Sequence, residues 1–232
     1  MWTYSAYREL IAILQEKNFA FSFFGEKSGK DVYLRHDIDV SIDYALPLAE
    51  LERALGVKST YFVLAVSDAY NPFSEKNLEQ LQQILSLGHE IGLHVWNSEK
   101  IASESALLEE ALERPIRFFS LHRPASSSVD FSALAASGLI NCYDPAYFSK
   151  ESYISDSNGN FRVGDPYLFL KNFTGKRLQF LTHPLWWGEA PLEISERVRS
   201  LETHHASSFR SYLSGNIAAF KEAIECSPVG VE

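Results

Sequence analysis

The sequence predicts an α/β protein built around a parallel sheet. Short runs rich in Val, Ile, Phe and Tyr, typical of strands, alternate with helical patterns of apolar residues. The runs are continuous rather than alternating in polarity, as in strands covered on both faces. Seven strands are predicted, at residues 31–37, 58–66, 89–96, 116–123, 140–144, 166–171 and 177–183. No linker-like stretch divides the 232 residues, so a single domain over residues 1–232 is expected.

The segments between the strands carry helix signals. Three have apolar residues on one helical face followed by Gly or Pro: Leu48, Leu51 and Leu55 before Gly56; Leu78, Leu81 and Leu85 before Gly88; Leu108, Ala111 and Leu112 before Pro115. The polar segment 149–166 is predicted to be an irregular hairpin. This alternation fits either a doubly wound sheet or a (β/α) barrel. Both architectures place functional residues at the carboxyl ends of the strands.

Composition narrows the classes of partner. The formal net charge of -9 disfavours a nucleic-acid partner. No apolar run approaches the ~20 residues of a membrane span. The N-terminal residues show no basic region or cleavage site of a signal peptide, so a cytoplasmic location is expected. Cys142 and Cys226 are far apart in sequence and are predicted to be free thiols. No feature of the sequence indicates an oligomeric state.

Two aspartates follow the first strong strand, which ends in Arg-His-Asp-Ile-Asp. Side chains alternate along a strand, so Arg35, Asp37 and Asp39 are predicted to share one face. Neighbouring carboxylates repel each other unless a cation or a shared proton lies between them. A divalent cation would leave one carboxylate as ligand and the other as base. The alternative is a salt-bridged helix N-terminus, with Ser41 as its cap and Asp43 in its first turn.

Three further strands end in histidine. His94, His122 and His183 are predicted to meet the aspartates at one rim, because the carboxyl ends of parallel strands lie together. Such a set is hard to explain by packing, and His and Asp are preferred ligands of Zn²⁺. His89 begins its strand, so a structural role at the opposite rim is expected. The sequence has no nucleophile elbow, Walker A loop or dinucleotide fingerprint.

These motifs resemble the NodB-homology polysaccharide deacetylases, carbohydrate esterase family four. The similarity runs in order over most of the chain, from residue 31 to about residue 187. Arg-His-Asp-Ile-Asp lies where the family has paired aspartates, and Gly-His-Glu-Ile-Gly-Leu-His looks like the family motif that ends in a ligand histidine. The remaining matches are His-Arg-Pro with Arg123 and Pro124, Leu-Thr-His with His183, and Asp144 as a candidate for the remaining acidic motif.

The resemblance implies an irregular (β/α)7 barrel that removes N- or O-acetyl groups with a bound divalent metal. Two departures indicate a rebuilt site. Ser98 stands where the family has a second histidine, and Ile38 separates the usually adjacent aspartates. His122 could replace the missing ligand. The amino-acid sequence of these motifs resembles a divergent branch of the family that is associated with bacterial surface-polysaccharide gene clusters.

The expected metal ligands are Asp39, His94 and His122. Zn²⁺ is the expected ion, with Co²⁺, Ni²⁺ and Mn²⁺ as alternatives. Asp37 would act as base and His183 as acid, although the two aspartates could exchange roles. Arg123 would orient Asp37 and lower its pKa, and Arg35 could do the same.

The substrate is expected to be an acetylated sugar or surface-polysaccharide precursor, nucleotide-linked or lipid-linked. Trp186 and Trp187 could stack on a sugar ring, although at least one of them is expected to pack in the core. Tyr143 and Tyr147 are weaker candidates for the wall of the cleft. The alternatives are another metal-dependent C–N hydrolase on the same scaffold and a non-catalytic relative that binds a glycan or acts as a scaffold.

Overall fold

The computed structural model describes residues 2–123 and 137–221. The chain falls into two compact units, Met1–Pro191 and Leu192–Glu232. The single domain over residues 1–232 stays a prediction.

The first unit contains a wholly parallel sheet. Its strands are β1 (Ala20–Phe21), β2 (Asp31–Ile38), β3 (Thr60–Leu64), β4 (Glu90–Val95), β5 (Phe118–Leu121), β6 (Ile140–Asn141), β7 (Tyr153–Ser155) and β8 (Arg177–Thr182). Seven of them follow the order β6-β5-β4-β3-β2-β8-β7, and β1 pairs with the first residues of β2. The predicted parallel α/β architecture is therefore confirmed.

The sheet curves into a half-barrel. In a flat sheet with strands about 4.8 Å apart, β6 and β8 would lie about 24 Å from each other. The side-chain amide of Gln179 on β8 nevertheless donates to the carbonyl of Cys142, just after β6, at 2.7 Å. The aromatic rings of Phe24, Tyr33, Phe62 and Phe118 fill the base of the enclosed space.

Helices cover the outer face of the sheet. They are α1 (Tyr4–Glu16), α2 (Ala45–Ala54), α3 (Glu75–Ser86), α4 (Ile101–Leu112) and α5 (Pro166–Asn172). The three helices predicted from apolar spacing are α2, α3 and α4, and all three are confirmed. They pack on β2 to β5, while α1 and α5 pack on β2 and β8.

Two sequence predictions are wrong. The apolar run 166–171 is helix α5 rather than a strand. The side chain of Asp165 caps this helix and Pro166 occupies its first turn, so local capping sets the conformation. The polar segment 149–166 contains β7, which pairs in parallel with β8 instead of forming a hairpin.

The second unit is described from residue 192 to residue 221. Its main element is helix α6 (Ile194–Asn216). The side chains of Glu193 and Glu196 form a reciprocal capping box at its start. Among the residues that the structure describes, no helix is long and apolar enough to cross a membrane. Cys142 is a buried free thiol, and the predicted free Cys226 lies outside the described residues.

Candidate active site

A cleft of about 860 Å³ opens at the carboxyl ends of the strands. The structure brings five residues predicted at this rim together in its lining: Asp37, Asp39, His94, His122 and His183. Asp37 and His94 lie within their strands, on the inner face of the half-barrel, whereas the other three follow directly after strand ends. His89 lies at the other end of β4, where its ring contacts Ser59 and the carbonyl of Ala49.

Asp39, His94 and His122 form a compact triangle of ligand atoms. His94 Nε2 lies 2.9 Å from His122 Nδ1, and Asp39 Oδ1 lies 3.3 Å and 3.2 Å from these two atoms. A tetrahedral Zn²⁺ with ligands at about 2.0–2.1 Å would separate its ligand atoms by about 3.3 Å. Asp39 Oδ1 is buried and has no hydrogen-bond partner among the described residues. The three side chains therefore fit a divalent cation.

Contacts around the triangle fix both imidazole rings. Ser120 Oγ lies 2.6 Å from His94 Nδ1, which directs Nε2 toward Asp39 and His122. The ring of His122 lies 3.9 Å from the ring of Trp96, centroid to centroid. Neither Ser120 nor Trp96 was predicted from the sequence. The period-two alternation along β5 could have identified Ser120, since it shares the inner face with His122.

Asp37 is held by the arginine two residues before it. Arg35 Nε and Nη2 donate to the two carboxylate oxygens of Asp37 at 2.8 Å and 2.7 Å. The buried guanidinium also contacts Gln179 and Tyr143. Burial alone would raise the pKa of Asp37, but Arg35 and His94 outweigh it and lower that pKa.

Arg123, which was expected to orient Asp37, lies at the rim of the cleft, and that role stays a prediction. Its guanidinium lies over the ring of Trp96, 5.6 Å from the centroid, and it contributes to the lining of the cleft. Arg35 takes the orienting role because it shares the inner face of β2 with Asp37. Pro124 of the same motif lies outside the described residues.

His183 is paired with Asp156, which was not predicted. Asp156 Oδ1 lies 2.6 Å from His183 Nδ1, and both carboxylate oxygens accept from the backbone N–H of His183 at 3.0 Å. Burial would lower the pKa of His183, but Asp156 raises it to about 9. Asp144, the acidic candidate from the sequence, instead accepts from the backbone N–H of Ala146 in a turn.

The predicted aromatic residues occupy different surroundings. Trp186 lines the cleft, and its indole N–H is buried without a hydrogen-bond partner among the described residues. Trp187 is fully buried, and its indole N–H donates to Asp156 at 2.9 Å. It packs against Trp2, Tyr7 and Phe161, so it belongs to the core rather than to the cleft.

The two tyrosines also differ from each other. Tyr143 lines the cleft and contacts Arg35. Tyr147 packs edge-on against Phe24 and Tyr33 in the aromatic cluster at the base of the half-barrel. Tyr147 is therefore placed away from the wall that was expected for it, because its ring completes the inner apolar cluster.

Comparison with known proteins gives structural similarity only. No protein-family model matches the chain, and no curated protein matches it. A CE4 esterase from Streptococcus mutans superposes with a TM-score of 0.51 and 18% identity, over 81% of this chain and 86% of that one. A family 4 carbohydrate esterase from Bacillus anthracis gives a TM-score of 0.48 and 15% identity, over 85% and 86%.

A CE4 family pseudoenzyme from Bacillus anthracis is also similar, with a TM-score of 0.46 and 16% identity over 79% of this chain. The chain covers 63% of that structure and 65% of a mutant pseudoenzyme with restored activity. At these identities the likeness concerns the fold alone. The predicted irregular (β/α)7 barrel is confirmed as the fold that this chain shares with the Streptococcus mutans esterase.

Proposed function

We propose that the protein is a metal-dependent hydrolase that removes an N- or O-linked acetyl group from a sugar. The observation that carries the proposal is the arrangement around the ligand triangle. An ionised carboxylate held by Arg35 lies 3.6 Å from the triangle at His94 Nε2, and an imidazole held by Asp156 lies 3.7 Å from Asp39. A base and an acid thus flank a cation site within one cleft.

Asp39, His94 and His122 would hold a divalent ion, which would supply Lewis-acid activation of water and of an acetyl carbonyl. Asp37 accepts the proton of the attacking water, because Arg35 keeps its carboxylate ionised and oriented. His183 is protonated at neutral pH and gives its proton to the departing amine or alkoxide. Asp156 holds the His183 ring in place through Nδ1, so Nε2 faces the cleft. The products are acetate and a free amine or hydroxyl.

Zn²⁺ is the proposed ion, because one carboxylate and two imidazoles at this spacing suit tetrahedral coordination. We place the substrate among surface-polysaccharide precursors, on the basis of the resemblance of the sequence motifs. The buried, unpartnered indole N–H of Trp186 supports a direct role in substrate binding, since a hydroxyl or carbonyl oxygen of a sugar would satisfy it.

Metal content and acetate release test the proposal together. Protein purified without chelator or affinity metal should carry about one equivalent of a divalent ion by elemental mass spectrometry. His122→Ala should lose that ion, whereas His183→Ala should keep it and lose turnover of acetylated sugars. His205→Ala, which removes a histidine of helix α6, is the matched control and should behave as wild type. Full metal occupancy in His122→Ala would refute the ligand assignment.

One observation favours a second candidate, a non-catalytic glycan-binding relative. Both carboxylate oxygens of Asp37 are already engaged by Arg35, and Ser98 stands in place of the second family histidine. This candidate predicts no stoichiometric metal and unchanged glycan binding when Asp37 is replaced by Ala. A third candidate, another C–N hydrolase, is separated from the first by a screen of formamides and cyclic amides against acetylated sugars.

A further inference from the structure

The cleft is cationic in a protein that is acidic as a whole. The formal net charge of the chain is -9. The lining of the cleft nevertheless includes Arg123, Lys150 and Arg162, while its only acidic members among the described residues are Asp37 and Asp39. Arg35 neutralises Asp37 from inside the half-barrel. A divalent ion at the triangle would more than neutralise Asp39, so the remaining charge of the described lining is positive.

Lys150 and Arg162 are available for a ligand. Neither residue makes an ion pair or a side-chain hydrogen bond within the described parts of the chain, and both are exposed. The described lining of the cleft contains no carboxylate other than those of Asp37 and Asp39. The positive charge is therefore directed at whatever enters the cleft rather than at the protein itself.

The loop 156–162 holds Arg162 on a fixed support. Asp156 is buried and bound to His183, and its carbonyl accepts from the backbone N–H of Gly159 at 2.9 Å. Phe161 is buried against Trp187. Between these anchors Asn158 adopts a left-handed conformation, with φ of 59°. The loop thus connects the partner of His183 directly to a cation of the cleft wall.

We propose that the acetylated sugar carries an anionic group, a phosphate or a carboxylate, that Lys150 and Arg162 bind while the acetyl group lies at the ligand triangle. This inference rests on the proposed function and specifies its substrate class. Arg162 matches the geometry of phosphate or carboxylate oxygens with two parallel N–H donors, and Lys150 adds a point charge. Arg123 extends the same positive wall toward Trp96.

The test compares anionic and neutral acetylated sugars on the metal-loaded protein. The neutral probe is methyl 2-acetamido-2-deoxyglucoside. The anionic probes are N-acetylglucosamine 1-phosphate, UDP-N-acetylglucosamine and the uronic acid of the neutral probe. KM and kcat are measured where acetate is released, and Kd by calorimetry where it is not, so the comparison does not depend on turnover. Wild type should favour at least one anionic probe by about tenfold, and added salt should reduce that preference.

Replacing both cations decides the outcome. In the double variant Lys150→Ala and Arg162→Ala, the preference for the anionic probe over the neutral one should fall by about tenfold. Lys27→Ala removes one exposed cation outside the lining of the cleft and should leave the preference unchanged. An unchanged preference in the double variant, or none in wild type, overturns the inference. Absence of metal and of acetate release from every probe counts instead against the proposed function.

The anionic probes also separate the sources of the charge. A preference for the diphosphate indicates a nucleotide-linked sugar. A preference for the monophosphate indicates a sugar phosphate or the head of a lipid-linked precursor. A preference for the carboxylate indicates a uronic acid. Each of these three results supports the inference, and equal affinity for all four probes contradicts it.

Discussion

The buried carboxylate of Glu52 on helix α2 allows a quantitative test of the physical account of the fold. Glu52 Oε1 accepts from the hydroxyl of Tyr7 at 2.5 Å and lies 2.7 Å from His36 Nε2. Glu52 Oε2 accepts from Ser59 and Tyr61 at 2.6 Å and 2.7 Å. All of these groups are buried, so water cannot replace a lost partner. Glu52→Gln keeps the size of the side chain and turns one acceptor oxygen into a donor.

Two lines of reasoning give the same magnitude for Glu52→Gln. Burial alone would raise the pKa of Glu52, but His36, His89 and Ser59 lower it from 4.5 to about 2. This difference corresponds to about 3 kcal/mol of stability for the ionised group. A hydrogen bond to a charged group typically contributes about 1.5–3 kcal/mol to stability. The free energy of unfolding of Glu52→Gln should therefore be about 3 kcal/mol lower than that of wild type at pH 7.

The pH dependence of this effect has a definite sign. The pKa of Glu52 is lower in the folded state, so its contribution is complete above pH 4.5 and is lost as the pH falls toward 2. Burial also lowers the pKa of His89, so protonation of His89 below its ordinary value of 6.5 favours unfolding in the same direction. Urea unfolding followed by circular dichroism should show the difference between wild type and Glu52→Gln narrowing in acid.

Glu104→Gln is the matched control, because the same replacement should have the opposite sign. Burial raises the pKa of Glu104, and its buried Oε2 has no hydrogen-bond partner among the described residues. Its ionised form costs stability at neutral pH, so Glu104→Gln should be neutral or stabilising. A loss of less than about 1 kcal/mol in Glu52→Gln, or equal losses in both variants, would refute this account of the buried network.

Two further predictions concern the candidate active site and the glycine of strand β4 that precedes His94. In Asp156→Asn the pKa of His183 should fall from about 9 toward 6.5, so the alkaline limb of the pH–rate profile should move to lower pH. If that limb does not move, or if the titration of the His183 imidazole followed by NMR does not move, the pairing of His183 with Asp156 is contradicted. In Gly92→Ala the added Cβ would lie 2.5 Å from the ring of Phe62, so the free energy of unfolding measured by thermal denaturation should fall by about 1–3 kcal/mol. An unfolding midpoint equal to that of wild type would contradict this prediction and show that the Phe62 ring moves aside.

Much of the rim could be predicted because it follows from two regular features of parallel sheets. Residues two apart on a strand share a face, and parallel strands end at one edge, so Asp37, Asp39, His94, His122 and His183 had to converge. The same alternation placed Arg35 beside Asp37. The orientation of Arg123 could not be predicted from strand periodicity, because Arg123 follows the end of β5 by two residues.

Other features depend on contacts that strand periodicity does not encode. The run 166–171 is continuous and apolar, which suits a strand and a short buried helix equally, and the deciding signal was Asp165-Pro166 at its start. Asp156 lies in a polar segment without a period, so nothing singled it out among the neighbouring hydroxyl and amide residues. Glu52 did leave a signal, since it falls four residues after Leu48 on the apolar face of α2.

The register between β4 and β5 explains how two histidines from different strands meet at the rim. His94 on β4 is the cross-strand partner of Ser120 on β5. His122 follows Ser120 by two residues and therefore lies on the same inner face. One edge of the His94 ring therefore meets Ser120 and the other edge meets His122. The imidazole of His122, supplied by the adjacent strand, reaches both His94 Nε2 and Asp39 Oδ1. The parallel register, rather than spacing along one segment, thus determines which histidines can form a ligand set.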